Sequence, residues 1–180
     1  MINALLALSR QIDRLNEAIG RLVMWGVLLA TLVASGNALA KHFFGQGSNA
    51  WLEAQWYLFG ALFLLGAGYT LKHNGHVRID VLHQRLSDKA RAWIDLLGGL
   101  LFLLPFAGLL AWLSWALFAE SWRIQEMSPD AGGLLRWPVK LLVPIGFGLL
   151  FLQGVSEIIK RIGVLRGVYP SIEEKPAEEV

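Results

Sequence analysis

His73, His76, Asp80 and His83 follow one another at intervals of three, four and three residues. On one continuous helix that spacing would bring the four side chains to a common face, and imidazoles with a carboxylate suit a transition metal. Two features weigh against a metal centre. Asn74-Gly75 falls inside the cluster, and such a pair favours a turn or a helix end. The cluster also lies where an apolar run gives way to Lys72, Arg78 and Asp80 in "YTLKHNGHVRIDVL", residues 69–82, a boundary at which polar residues are routine. No metal and no cofactor is therefore expected. Haem between helices would need a histidine near mid-membrane, and His42, like the other three, stands at the end of an apolar run.

The elements around this cluster are apolar to an unusual degree. Of 180 residues 55% are hydrophobic and 17% charged, where a soluble domain would carry about a quarter charged residues. Four runs free of Asp, Glu, Lys and Arg define spans at 22–40, 54–71, 96–119 and, extended by Trp137 and Val139 with Lys140 reaching the headgroups, 139–158. A spanning helix takes roughly 20 residues, and backbone in lipid must satisfy its own hydrogen bonds, so the runs read as helices. The expected fold is an all-α integral membrane protein: a four-span membrane domain over 22–168 and a disordered tail at 169–180. Pro105 and Pro144 fall within the third and fourth spans and should each open one backbone bond.

Amphipathic segments precede the first and third spans. Leu5, Leu8, Ile12, Leu15, Ile19 and Leu22 form one stripe that runs through the segment 1–21 into the first span, and Ile79, Leu82, Leu86, Ala90, Trp93 and Leu97 another that runs through 79–95 into the third. Spacing of this kind makes one apolar helical face. Both segments are expected to lie in the headgroup layer against phospholipid or to dock on a partner protein. Twelve of the 16 Lys and Arg residues fall in the N-terminal segment, the central loop and the tail, and four in the other two loops. The positive-inside rule then puts both termini in the cytoplasm.

The formal net charge of +2 suggests no nucleic-acid surface, and the absence of Cys excludes thiolate sites. None of the four span cores holds an ionisable residue, so the chain is a poor candidate for carrying an ion or a carboxylate alone. Asn37, Gln55 and Gln153 read as interhelical hydrogen-bonding groups. Gly26, Ala30, Ala34 and Ala38 recur every four residues and form a candidate packing seam. Trp25, Trp56, Trp93, Trp122 and Trp137 fall near span ends, as an aromatic belt requires.

The run "EAQWYLFGALFLLGAGYTLKHNGHVRIDVL", residues 53–82, resembles the small membrane subunit of tripartite ATP-independent periplasmic (TRAP) transporters. An acidic residue, Glu53, precedes an aromatic-rich second helix, and Gly75, His76, Val77, Arg78, Ile79 and Asp80 follow in the family's order. "SWRIQEMSPDAGGLLRWPVKLLVPIGFGLLFLQGVSEIIK", residues 121–160, is similar to the longer branch of that family. The resemblance implies a non-catalytic scaffold in the bacterial inner membrane. Its partners would be a large elevator-type subunit, holding the substrate and sodium sites, and a periplasmic binding protein for organic acids. It marks Glu53, Gly75, His76, Arg78 and Asp80 as the family motif of a signature corner. Two readings stand for that corner: Arg78 and Asp80 fix it through a charge-assisted hydrogen bond, or Arg78 only contacts lipid phosphate. Glu120, Arg123, Glu126, Asp130 and Arg136 in the third loop, with loop one, are the expected landing area for the binding protein. Two other readings compete. An independent homo-oligomeric four-helix transporter or channel would need a polar pore lining, and a membrane enzyme would use the His/Asp cluster with bound metal.

Overall fold

The computed structural model describes residues 2–75 and 86–170 of the chain. They form α1 (Ile2–Phe44), α2 (Asn49–Lys72), α3 (Asp88–Gly98), a π-helical turn (Gly99–Leu103), α4 (Leu104–Arg123) and α5 (Trp137–Leu165). The fold is all-helical, apart from an isolated bridge between Met127 and Leu135. Three helical stretches, Ile2–Phe44, Asp88–Arg123 and Trp137–Leu165, are long and apolar enough to cross a membrane. With 24 residues α2 has the length, about 36 Å at 1.5 Å per residue. Gln55, Trp56, Tyr57, Tyr69 and Thr70 leave it less apolar than the other three.

α5 is the hub, packing on α1, α2, α3, the π turn and α4. Neighbours fix the directions. Gly20 of α1 abuts Tyr69 and Gly36 faces Trp51, so α1 and α2 are antiparallel. Gly60 faces Val139 and Gly146 faces Leu64, so α2 and α5 run parallel, while Gly108 against Phe151 and Gly154 against Leu104 set α4 antiparallel to α5. The Gly146 contact is the tightest of these with backbone: a methyl there would sit 2.7 Å from the Leu64 carbonyl oxygen. Removing the Cβ lets two backbones approach, the usual device for helix packing in lipid.

Neither amphipathic segment is a separate helix among the described residues. Residues 2–21 are the first half of the 43-residue α1, and 88–98 run without a break through the π turn into α4. Most of their large apolar side chains stay uncovered by the rest of the chain. The buried face of α1 is Leu6, Ser9, Ile12, Asn16 and Gly20, while Leu5, Leu8, Leu15 and Leu22 are exposed. In α3, Ala92 is buried and Trp93 and Leu97 are exposed. The rule that the apolar face points inward assumes water outside; here the polar and small residues pack against α5 and the greasy stripes face out. Ile79 and Leu82 lie outside the described residues.

The four seam positions on α1 differ in exposure. Ala30 is fully buried and Gly26 lies 3.9 Å, measured from an added methyl, from the Leu58 carbonyl; Ala38 is exposed. A four-residue repeat drifts off a 3.6-residue helix, so the contact passes to Gly36, opposite Trp51. Pro105 is accommodated without a break: the preceding turn widens to π geometry and the Leu104 N–H reaches the Gly99 carbonyl. Beyond it Ala107, Ser114 and Ser121 are the buried positions of α4. Most of the tail, 171–180, lies outside the described residues.

Candidate functional site: a polar seam and a pinned hairpin

The side chains with chemical potential gather at the two ends of the bundle. At the end where α5 finishes, α1 and α5 share a polar seam. Asn16 Nδ2 donates to Gln153 Oε1 at 3.0 Å, and Gln153 Nε2 donates to Asp13 Oδ1 at 2.9 Å and to Glu157 Oε1 at 3.0 Å. The Ser156 hydroxyl lies 2.7 Å from Asp13 Oδ1 and 2.7 Å from the Ser9 hydroxyl. A carboxylate only accepts, so Ser156 donates to Asp13 and Ser9 donates to Ser156. Lys160 Nζ bridges Asp13 Oδ2 at 3.0 Å and Glu157 Oε1 at 2.6 Å. Arg161 Nε pairs with Asp95 Oδ2 of α3 at 3.1 Å. Lys160 and Arg161 are 5% and 6% exposed, so these are burdened charges whose desolvation only close pairing offsets. Asn16 Oδ1 points at Gly68 of α2, where an added methyl would overlap it. A larger residue there would force α1 and α2 apart.

Lys160 and Arg161 read from the sequence as tail charges beyond the fourth span. The structure carries α5 on to Leu165 and folds both into the seam. Sequence reasoning also passed over Ser9, Asp13 and Asn16. Their signal was present: small and polar residues at three- and four-residue spacing, the pattern of a helix interface in lipid.

Beside the seam, α2 ends at the expected turn. Asn74 adopts φ 53°, the Asn74 N–H bonds the Leu71 carbonyl, and the Gly75 N–H bonds the Thr70 carbonyl at 2.9 Å. This is the Schellman pattern, with Asn in the left-handed position. Glu17 of α1 anchors the corner, meeting Lys72 at 2.7 Å, His73 at 2.7 Å and Arg21 at 2.8 Å. His76, Arg78, Asp80 and His83 lie outside the described residues. Of the metal-like quartet only His73 is described, and Glu17 is its partner.

At the opposite end the 124–136 hairpin is held by carboxylates. Glu53 does not sit at the corner with Gly75: it stands near the start of α2, at the far end of that helix. Its Oε2 accepts the Leu134 N–H at 2.6 Å and its Oε1 accepts the Ser128 hydroxyl. Glu126 accepts from Lys140 of α5, while its carbonyl takes the Arg136 N–H at 2.8 Å. The Lys140 ammonium holds the Glu126 carboxyl below its ordinary range, with Arg136 adding a weaker pull. Asn49 Nδ2 donates to the Ala131 carbonyl at 3.0 Å, joining loop one to the hairpin. Asp130 stays exposed, and Glu120 and Arg123 pair with each other at the surface. The third-loop residues thus divide into those that build the hairpin (Glu126 and the backbone of Arg136) and those that face out (Glu120, Arg123 and Asp130). No group of His, Asp and Glu among the described residues is arranged to hold a metal.

A family model described as "Tripartite ATP-independent periplasmic transporters, DctQ component" matches residues 30–163. The chain is 33% identical over 119 residues to the "C4-dicarboxylate TRAP transporter small permease protein DctQ" of Pseudomonas aeruginosa, covering 64% of this chain and 53% of that protein. The chain therefore matches about half the length of this curated relative. No solved structure matches.

Proposed function

Since the chain belongs to the DctQ-component family of tripartite ATP-independent periplasmic transporters, a transporter component and not an enzyme, we propose that it is the stationary small subunit of such a transporter. In this reading α1, α2, α3 with α4, and α5 make four crossings of the bacterial inner membrane, with both termini cytoplasmic. The chain braces a large transport subunit, which holds the substrate and the coupling sodium ions. Organic acids, C4-dicarboxylates among them by analogy with the relative, are the proposed cargo. A periplasmic binding protein docks on the hairpin face with Glu120, Arg123 and Asp130.

One observation carries the bracing role. The buried charges of the seam are matched against one another, Lys160 by Asp13 and Glu157 and Arg161 by Asp95. Side chains spent on one another within the bundle suit a fixed frame better than a moving ion site. Meanwhile large apolar residues are exposed along α1, the π turn and α4, including Leu22, Trp25, Phe102 and Trp112, which suits lipid and a membrane-embedded partner.

The test is reconstitution. Uptake of a C4-dicarboxylate into liposomes should need this chain, the large subunit and the binding protein together, and the chain alone should give none. Uptake by the chain alone would overturn the scaffold reading. Within the full system, Asp130→Lys with Glu120→Lys should raise the binding-protein concentration needed for half-maximal uptake and spare the maximal rate. An unchanged requirement would remove the hairpin from the docking face.

A further inference from the structure

A cleft opens between α2 and α5 beside the hairpin. It holds about 350 Å³ and is lined by Glu53, Trp56, Tyr57, Arg136, Val139 and Lys140. Most of its polar groups are engaged. Glu53 is taken by Ser128 and the Leu134 N–H, Lys140 by Glu126, and the Tyr57 hydroxyl donates to the Leu135 carbonyl at 2.9 Å. Arg136 differs. Its backbone N–H bonds Glu126, but among the described residues its half-buried guanidinium makes no hydrogen bond or close ion pair, and acts on the Glu53 and Glu126 carboxylates only at longer range. Five N–H donors in a rigid fork beside an indole and a phenol match a phosphate or carboxylate.

The surface leading away from the cleft chooses between these anions. Trp56, Phe59 and Phe63, spaced three and four along α2, are 66%, 44% and 79% exposed. They form an apolar track from the guanidinium toward the middle of the helix. A protein carboxylate would leave that track unused. A phospholipid uses both parts, and the cleft lies where α2 and α5 begin, the depth at which headgroups meet interfacial Trp, Tyr and Arg. We propose that this cleft binds a membrane phospholipid, with the phosphodiester on the Arg136 guanidinium and an acyl chain along Trp56, Phe59 and Phe63.

The test uses the full chain in mild detergent, titrated with phosphatidylglycerol or with a monoglucosyl diacylglycerol of the same acyl chains, and native mass spectrometry to count retained lipid. Wild type should retain the phospholipid about tenfold more strongly than the phosphate-free lipid, the scale of one charge-assisted hydrogen bond. Arg136→Gln should abolish the difference and Arg136→Lys restore part of it. Phe63→Ser, at an exposed site remote from the hairpin, should weaken retention of both lipids and so tests the track even if Arg136→Gln fails to fold. Equal retention of both lipids by wild type would overturn the proposal, as would displacement by inorganic phosphate, which would mark a soluble-anion site. Undiminished lipid retention by Arg136→Gln, with loss of binding-protein-dependent uptake, would assign the guanidinium to a protein carboxylate and equally overturn it.

Discussion

Asp13 and Glu53 are carboxylates at opposite ends of the bundle, and they meet different kinds of partner. Asp13 contacts side chains of another helix: Gln153, Ser156 and Lys160. Glu53 contacts a loop, through the Leu134 N–H and the Ser128 hydroxyl. The first arrangement fixes how two helices sit against each other, because its atoms meet only when α1 and α5 are in register. The second fixes the shape of a surface and leaves the helices alone. Disturbing the seam should therefore be a global event, and disturbing the hairpin a local one.

Three experiments can break or sharpen this contrast, in falling order of effect. Lys160→Met strands Asp13 and Glu157 inside the seam. It should cost about 3–5 kcal/mol, as removal of one member of a buried ion pair does, read as a lowered unfolding midpoint in detergent. Neutralising the cluster together, as Asp13→Asn, Glu157→Gln and Lys160→Met, should recover most of the loss. A single variant as stable as wild type would show the seam to be dispensable. Glu53→Ala should act only on the hairpin: amide exchange at Leu134 and Ser128 rises about tenfold or more, with protection in α1 and α5 unchanged. Parallel loss of protection in the helices would erase the distinction.

The smallest effect concerns pH. Hydrogen bonding from Lys140 lowers the Glu126 carboxyl from its ordinary value of 4.5. A carboxyl lowered in the folded state adds stability above its unfolded pKa and loses it as pH falls through the folded one. Protection of the Arg136 amide, which bonds the Glu126 carbonyl, should thus hold steady from neutral pH to near 4.5 and decline below it. In Glu126→Gln that decline should shrink to the part that Glu53, whose carboxyl is also lowered by the Leu134 N–H and the Ser128 hydroxyl, contributes. A decline that persists unaltered would free the hairpin from this ion pair.

The helices were legible because stretches such as 96–119 contain no charge, and a greasy run of that length has few alternatives. The polar contacts between them were not. Leu5, Leu8, Leu15 and Leu22 are exposed, and the helix contacts fall on the residues between them. Ser9 and Asn16, which look like surface residues, are buried. Glu53 was grouped with the corner only as part of one family motif, in which it comes before the second helix. Most of the 24-residue α2 separates the two, so membership of one motif is not closeness in space. The hairpin contacts join residues 75 and 81 positions apart, a distance over which local patterning carries no information.

The wide turn at Gly99–Leu103 has a consequence for the phase of the long helix that contains it. The buried positions after it, Ala107, Ser114 and Ser121, repeat every seven residues, and carried backward that rhythm lands on residue 93, yet the buried residue is Ala92. The turn inserts a beat. A chain lacking one residue there would keep its hydropathy and its charges almost unchanged. With one residue worth about 100° of rotation, it would swing Asp95 away from Arg161 while Ser114 stayed in place, and the two halves of the rod would address different neighbours.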